Sequence, residues 1–524
     1  MNFKKRFSIN YIGALLFVMC LSVSCSSSDK DPEVDPVTPV VDEPTEPSTT
    51  ASATSIEMNE WMLTKMQDQY LWQEDIPSDL STDTDDTQAF FESMLSQEDG
   101  KHTNGADYFY SYLEEDPEYT ATRALQSGDT YGLFLTWYRL TDEDGVSTNN
   151  LAARVLYVAE NSSAAEAGVE RGDWIWFTDQ SGERKDITSS DLLSFYSGSG
   201  FGFYTIKNGE EITADNLKLV TISASKQMEL SPIFKSEVVE QGGKKVGYIC
   251  YNAFVSGVTP FETFEYDDAL IAIFNNFKSQ QIDDLVLDLR YNGGGDLRTA
   301  GLLAYMLAPE KDLDQPIWIL TDHDGDKDSY ILSSFKNRYK DSKFDQTLDL
   351  PNLDLSHLYC IVSAYTASAS EAVANGLKPY MDVTLIGSTT EGKDVGMERI
   401  RDSNNKYPYY MWPITFSITS TDTSFHYSDG LVPDTANTLD EKSVVDSSGK
   451  SSDIEMLPLG DRGEALFAHA LSLIADTPST RAVKTIRTYG TVGVEVPAYS
   501  TLTKRPWYQT NALIIPAENA EETN

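Results

Sequence analysis

Apolar residues recur along this chain with changing periods, and the changes divide it. From about Ser55 to Leu125 the spacing is helical: Met62, Met66 and Tyr70 stand at i, i+4 and i+8, with Trp61 and Leu63 widening the stripe. From about Gly128 to Lys226 the pattern changes to short strand-like runs. From about Ser231 to Asp476 strands and helices alternate. Val246–Tyr251 reads as a strand, and 261–277 as a helix with Phe264, Leu270, Ile273, Phe274 and Phe277 apolar. Leu285-Val-Leu-Asp-Leu289 reads as a buried strand leading into Asn292-Gly-Gly-Gly295 and a helix to Leu307. Leu358–Val362 is another, followed by Tyr365-Thr-Ala-Ser-Ala-Ser-Glu371 and a helix to about Lys378, then a strand over Val383–Ile386. Such runs predict strands buried on both faces, so the fold class is α/β (α+β) and multidomain, with functional residues where strands end and helices begin. The stretch after Thr477 contains strand-like pieces that the pattern does not place.

The first fifty residues read differently. Lys4, Lys5 and Arg6 precede an apolar run from Tyr11 to Leu21 that is too short to span a bilayer, as in an export leader. Small residues then lead to Cys25, and Ser22-Val-Ser-Cys25 resembles a bacterial lipoprotein cleavage site in which Cys25 becomes the lipidated first residue. Ser22 stands where a leucine is usual, and an ordinary cleaved signal is the alternative. Asp29, Asp31 and Glu33 resemble sorting signals on surface lipoproteins of some Gram-negative bacteria. Pro32, Pro36, Pro39, Pro44 and Pro47 then alternate with acids and threonines, which predicts an extended tether reaching ~80 Å at ~3.1 Å per residue. The expected division is leader 1–25, tether 26–54, helical domain 55–126, strand-rich domain 127–228, α/β domain 229–476 and tail 477–524. The expected location is the envelope of a Gram-negative bacterium, on an outer-membrane lipoprotein facing the periplasm or the cell surface, held to the membrane by its N-terminal lipid only.

Composition narrows function. With 524 residues, 40% hydrophobic, the chain is long enough for several cores. Loss of Lys4, Lys5 and Arg6 with the leader takes the net charge from −42 to −45, a field that repels phosphates and excludes nucleic-acid binding as a main function. Beyond the leader only Cys250 and Cys360 remain, each in an apolar strand-like run, so buried inert thiols are expected rather than a disulfide. No histidine–cysteine cluster has metal-ligand spacing, so neither metal nor organic cofactor is expected.

The candidate chemistry is a serine and a lysine. A serine hydroxyl needs a base, and a lysine can serve only if burial or nearby positive charge brings its pKa towards neutrality. Ser368, at a strand–helix junction, sits where free N–H groups favour an anion. The N–H groups of Ala369 and Gly294 are the candidate oxyanion hole. Each element has an ordinary reading too. Ser368-Ala-Ser-Glu371 is a capping box, Lys393 by itself reads as a surface lysine, and Asn292-Gly-Gly-Gly295 as a turn.

Taken together and in order, these elements resemble the carboxyl-terminal processing (tail-specific) protease family. Asp288-Leu-Arg-Tyr-Asn-Gly-Gly-Gly295 is similar to that family's Asp-Leu-Arg-x-Asn-x-Gly-Gly turn. Thr366-Ala-Ser-Ala-Ser-Glu371 is similar to its nucleophile motif, and Gly392-Lys393, twenty-five residues beyond Ser368, to its general base. Upstream, Tyr131-Gly-Leu-Phe134 resembles the carboxylate-binding loop of PDZ domains, and Ser162 to Asp173 with Trp174-Ile175 their helix–turn–strand segment. The resemblance implies a crotonase-like/ClpP-like core with a PDZ domain, in which Gly132, Leu133 and Phe134 grip the C-terminus of a peptide added as a strand. It implies a serine endopeptidase whose substrates are polypeptides with free, apolar C-termini, with Ser368 as nucleophile and Lys393 as base.

Two departures keep an alternative open. A glutamine that often orients the lysine stands four places beyond it in the family, and here that place is Met397, whose thioether cannot donate the same hydrogen bond. Asp394 beside Lys393 would raise its pKa if the two side chains faced each other. The alternative is a catalytically inactive, PDZ-containing peptide-binding lipoprotein. His357 and His426 are further base candidates, since tricorn-type relatives pair serine with histidine.

Overall fold

The computed structural model describes residues 51–476 except 103–107, 116–128, 142–146, 178–197, 212–213, 260–262, 339–345, 422–425 and 446–450, together with 485–486. The leader, Cys25 and nearly all of the tether and of the tail therefore lie outside the described residues. Of the tail, Thr485–Ile486 pairs antiparallel with Ser451–Ile454.

Helix α1 (Ala53–Gln69) starts where the Ser52 hydroxyl accepts the Ser55 N–H at 3.1 Å, and it buries Met58, Met62 and Met66, the predicted i, i+4 stripe. Helix α2 (Thr87–Glu92) follows, and then strand β1 (Tyr112–Glu115). The helical expectation for 55–126 therefore holds only in part, because its later described portion is extended.

Next comes a five-stranded antiparallel sheet. Strands β2 (Leu133–Thr141), β3 (Ser147–Val158), β4 (Trp174–Phe177), β5 (Phe201–Ile206) and β6 (Lys218–Ile222) lie in chain order with β2 at one edge. The one-turn helix α3 (Ser163–Glu166) links β3 to β4.

The main elements that follow are β7 (Ile233–Gln241), β8 (Lys244–Tyr251), α4 (Glu265–Gln280), β9 (Asp284–Asp288), α5 (Leu297–Leu307), β10 (Pro316–Asp322), β11 (Lys327–Ile331), β12 (His357–Val362), α6 (Ala369–Leu377), β13 (Asp382–Gly387), β14 (Val395–Met397), β15 (Tyr409–Trp412), β16 (Ile414–Thr419) and α7 (Ala465–Ile474). A central sheet has the order β13-β12-β9-β8-β7, parallel throughout except for the antiparallel edge strand β7. A second sheet, β11-β10-β16-β14, is antiparallel. This is the expected mixed α/β, multidomain class.

Strand period two explains the continuous apolar runs. Leu285 and Leu287, Leu358, Cys360 and Val362 face α4, α5 and α6, packing with Leu270, Phe274, Leu303 and Val373. Tyr248, Cys250, Val286, Tyr359 and Ile361 face the other way, against Phe467 and Leu471 of α7 and against Phe134, Leu156 and Tyr157 of the preceding sheet. The two thiols thus lie on opposite faces of the sheet, both free and buried, which is why they form no disulfide.

The N-terminal segment shares its core with the α/β domain. Met62, Met66, Tyr70, Phe91 and Met94 pack with Met397, Met411, Trp412 and Ile414. Strand β1 pairs antiparallel with β15, Tyr112 opposite Trp412. Met397 is fully buried there, so the place of the family's glutamine is spent on packing.

Candidate active site

The central sheet delivers two loops to one place. β9 ends in the buried Asp288-Leu-Arg-Tyr-Asn292 turn, and β12 ends in the loop that carries Ser368. The Asn292 carbonyl accepts the Ala367 N–H at 3.1 Å and the Ser370 hydroxyl at 3.0 Å, so it grips the serine loop on both sides of Ser368. The Thr366 hydroxyl donates to the Leu289 carbonyl at 2.8 Å, and the Ser363 hydroxyl to that of Arg290. Held between these anchors, Ser368 has φ +57° and ψ −118°, a backbone conformation that a residue with a side chain rarely adopts. It is fully buried, at the N-terminus of α6.

Gly294 is the residue against which Ser368 is set. Its φ is +107°, and a Cβ there would lie 2.8 Å from the Ser368 Cβ, 2.9 Å from the Ala367 carbonyl oxygen and 3.1 Å from the Ala369 nitrogen. Only glycine fits. The structure therefore brings Gly294, Ser368 and Ala369 together, as expected. The expected use of the Gly294 N–H needs correction, however. It donates to the Asn292 Oδ1 at 2.9 Å, while the Asn292 Nδ2 donates to the Tyr251 carbonyl at 2.9 Å. Asparagine closes a local turn on its own backbone, and that donor is engaged.

Glu371 joins the nucleophile to the base. Buried one turn into α6, its Oε2 accepts the Ser368 N–H and the Lys393 N–H, each at 2.9 Å. Its Oε1 accepts the Gly392 N–H at 2.7 Å and the Thr390 hydroxyl. The bond to Ser368 is the backward reach expected of a capping box; the three bonds to the lysine loop are tertiary. Burial pushes the Glu371 carboxyl up to about 7, against the opposing effect of these donors.

Lys393 is only 1% exposed, not the surface lysine that its loop suggests in isolation. Burial pulls its amine down to about 7, while Asp99, Glu391 and Glu371 act in the opposite direction. Its Nζ stands 4.8 Å from the centroid of the Tyr110 ring. Asp394 turns away, its Oδ2 3.3 Å from the His426 Nδ1 and from the Tyr427 N–H. His426 is thus engaged with Asp394, and His357 contacts Thr384 at 2.8 Å and stacks on Tyr359.

Sequence reasoning missed Asp99 and Tyr110, which reach the lysine from nearly three hundred residues away, and Tyr108, which reaches Glu391 of its loop. Asp99 is fully buried and accepts from the Tyr70 hydroxyl at 2.9 Å, the Ser111 hydroxyl at 2.5 Å and the Tyr110 and Ser111 N–H groups at 3.0 and 3.1 Å. The Tyr108 hydroxyl donates to Glu391, and the Tyr110 hydroxyl does so at 3.3 Å. The period-two recurrence of Tyr108, Tyr110 and Tyr112 was a strand signal inside a segment that its first half makes look helical.

Gly132, Leu133 and Phe134 lie where β2 begins. The Gly132 N–H is bonded to the Thr130 hydroxyl at 3.0 Å. Leu133 is buried, and Phe134 stacks on Tyr157 at 4.2 Å in the core shared with the central sheet. Thr136 of β2 shares a 2.7 Å hydrogen bond with the hydroxyl of Tyr365, three residues before the nucleophile candidate.

A second buried cluster supports the turn after β9. The Arg290 guanidinium meets Asp288 at 2.8 Å, Glu464 at 2.7 Å and Glu441 at 2.9 Å. Arg171, from the preceding strand-rich region, meets Glu441 at 2.7 Å and the Tyr291 hydroxyl at 2.5 Å. Among the described residues, no group of three or more histidine, cysteine or carboxylate side chains is arranged to hold a metal, and no helix is long and apolar enough to cross a membrane.

Known proteins place this architecture. Residues 245–434 match the family model for peptidase family S41, and residues 57–112 that for the peptidase S41 N-terminal domain. A carboxyl-terminal-processing protease of Picosynechococcus sp. is 26% identical over 288 residues, 54% of this chain and 59% of that protein. The match thus spans about three fifths of that relative's length. The crystal structure of an S41 family protein from Bacteroides fragilis is similar with a TM-score of 0.61 and 26% identity, covering 79% of this chain and 97% of that one. A photosystem II D1 C-terminal processing protease aligns with a TM-score of 0.44 at 18% identity, over 76% and 96% of the two chains. Residues 57–112 and 245–434 thus carry the two domains of peptidase family S41, and the chain is similar to a carboxyl-terminal-processing protease.

Proposed function

We propose that this protein is a serine endopeptidase that cleaves polypeptides through a Ser368–Lys393 dyad. The observation that carries the reading is the burial of the Lys393 amine, whose pKa falls to about 7, in a loop fixed to the residue bearing the Ser368 hydroxyl through one carboxylate, Glu371. An amine in that condition accepts a proton near neutral pH. Ser368 Oγ attacks the peptide carbonyl as Lys393 takes its proton. The Ala369 N–H, at the positive end of α6, faces the developing oxyanion. Lys393 then returns the proton to the leaving amine, and water releases the acyl group by the same route.

The rest of the reading follows the sequence. The β2 edge, beginning at Gly132, Leu133 and Phe134, takes up an apolar C-terminus as an added strand. Cys25 carries the lipid that holds the enzyme in the outer membrane of a Gram-negative envelope. Purified protein is expected to degrade an unfolded polypeptide with or without chelator, and Ser368→Ala and Lys393→Ala each to abolish cleavage. Undiminished cleavage by both variants refutes the dyad. Radiolabelled fatty acid should enter the protein in cells and be lost with Cys25→Ala.

One observation favours the second reading, an inactive peptide-binding lipoprotein: the Asn292 Oδ1 occupies an oxyanion donor. That reading expects C-terminal peptides to bind without turnover and Ser368 to resist a fluorophosphonate probe at every pH.

A further inference from the structure

Met397, four residues beyond the lysine where the resemblance puts a glutamine, is fully buried among Met62, Met66 and Trp412. Groups that reach Lys393 come from the N-terminal S41 segment, from the lysine's own loop and from α6. Asp99, Glu391 and Glu371 are the charged groups around the amine, and the Tyr110 ring stands 4.8 Å from Nζ.

Tyr110 is fixed from several sides. Its N–H is bonded to the Asp99 Oδ1 at 3.0 Å and its hydroxyl to the Glu391 Oε1 at 3.3 Å. The Tyr108 ring meets it edge-on, with centroids 6.1 Å apart. Asp99 is in turn held by Tyr70 and Ser111. Burial and Glu391 keep the Tyr110 phenol un-ionised, well above its usual range, so the ring presents a neutral π face. Such a face attracts an ammonium more strongly than an amine. If Lys393 is the base, it becomes an ammonium only as it takes the serine proton. The contact then strengthens on the way to the transition state and acts on kcat rather than on KM.

We propose that Tyr110 is the positioning residue for Lys393, bracing the amine from the N-terminal domain and stabilising the positive charge it acquires from Ser368. The inference rests on the serine–lysine reading above. It also gives the N-terminal domain a direct part in catalysis, beyond packing.

The test compares Tyr110→Leu and Tyr110→Phe in the full-length protein. Leucine keeps the site dry but removes the π face. It is expected to lower kcat about tenfold at unchanged KM, the size of one desolvated cation–aromatic contact. It should also move the acidic limb of the kcat/KM profile to lower pH, because an unstabilised ammonium loses its proton sooner. Phenylalanine keeps the face and loses only the bond to Glu391, so it is expected to restore the limb and most of kcat. A second readout, titration of the 13Cε resonance of Lys393, assigned by its absence in Lys393→Met, needs no turnover. A shift with leucine and none with phenylalanine supports Tyr110 even if the wild-type protein cleaves nothing, in which case only the protease reading falls. An active enzyme whose Lys393 titrates alike in all three proteins, or a phenylalanine variant as impaired as the leucine one, overturns the Tyr110 proposal alone.

Discussion

The backbone N–H groups of Ser368 and Lys393, twenty-five residues apart, donate to the same carboxylate oxygen, Oε2 of Glu371, each at 2.9 Å. One buried side chain thereby sets the distance between two loops that belong to different strand ends. The amide of Glu371→Gln keeps the volume but has an NH2 where at least one N–H donor must find an acceptor. The variant should lose at least about 100-fold in kcat and roughly 2 kcal/mol of stability. Steady-state kinetics and a urea titration will read both; full activity in the glutamine variant would separate the clamp from catalysis.

The pH dependence of cleavage follows from the lysine. Its pKa is depressed to about 7, so the amine is charged and useless as a base below that pH and free above it. The kcat/KM profile should climb with unit slope through about pH 7 and level off above. An acidic limb near the usual carboxylate range instead would assign the titration to another group.

The same depression bears on folding. The unfolded chain keeps its lysine proton up to the ordinary lysine pKa, whereas the folded protein sheds it near 7, so between those values the unfolded state binds more protons and stability rises with pH. Glu371 acts oppositely below 7. Its raised carboxyl holds a proton in the folded state that the unfolded chain releases, and stability falls as pH rises from the ordinary glutamate range towards 7. Lys393→Met removes the burial penalty of the ammonium and should raise Tm by roughly 3 °C or more at neutral pH while abolishing cleavage. Calorimetry across pH checks the sign: the gain should shrink as the pH is raised.

Arg290 stands among Asp288, Glu441 and Glu464 with no solvent exposure. Arg290→Met leaves three buried carboxylates with the Arg171 guanidinium as their remaining buried cation, which predicts a loss of about 3–5 kcal/mol. Chemical denaturation measures it. Since the Arg290 carbonyl also accepts the Ser363 hydroxyl, activity should fall at temperatures where the variant is still folded.

At Gly294 an added methyl has no room, with the Ser368 Cβ 2.8 Å away, and φ is +107°. Gly294→Ala should therefore abolish fluorophosphonate labelling of Ser368 and lower Tm, whereas Gly243→Ala, with a positive φ but open space around it, should lower Tm alone.

What could be read from the chain was whatever is written locally. The two-sided apolar runs 285–287 and 358–362 specify strands buried on both faces, and the glycine- and serine-rich segments that follow specify turns into helices. Hence Gly294, Ser368 and Ala369 were identifiable as candidates, while Lys393 stood out only through the resemblance of Gly392-Lys393 to a protease family's base motif. The burial of Lys393, the turn of Asp394 towards His426, the capture of the Gly294 N–H by Asn292 and the arrival of Asp99 and Tyr110 at the amine left no such trace. Each depends on where segments distant in sequence come to rest, and that is settled by which apolar faces find one another. Here the stripe of α1 buries itself against Met397, Met411 and Trp412, and in doing so carries an aromatic ring to the lysine.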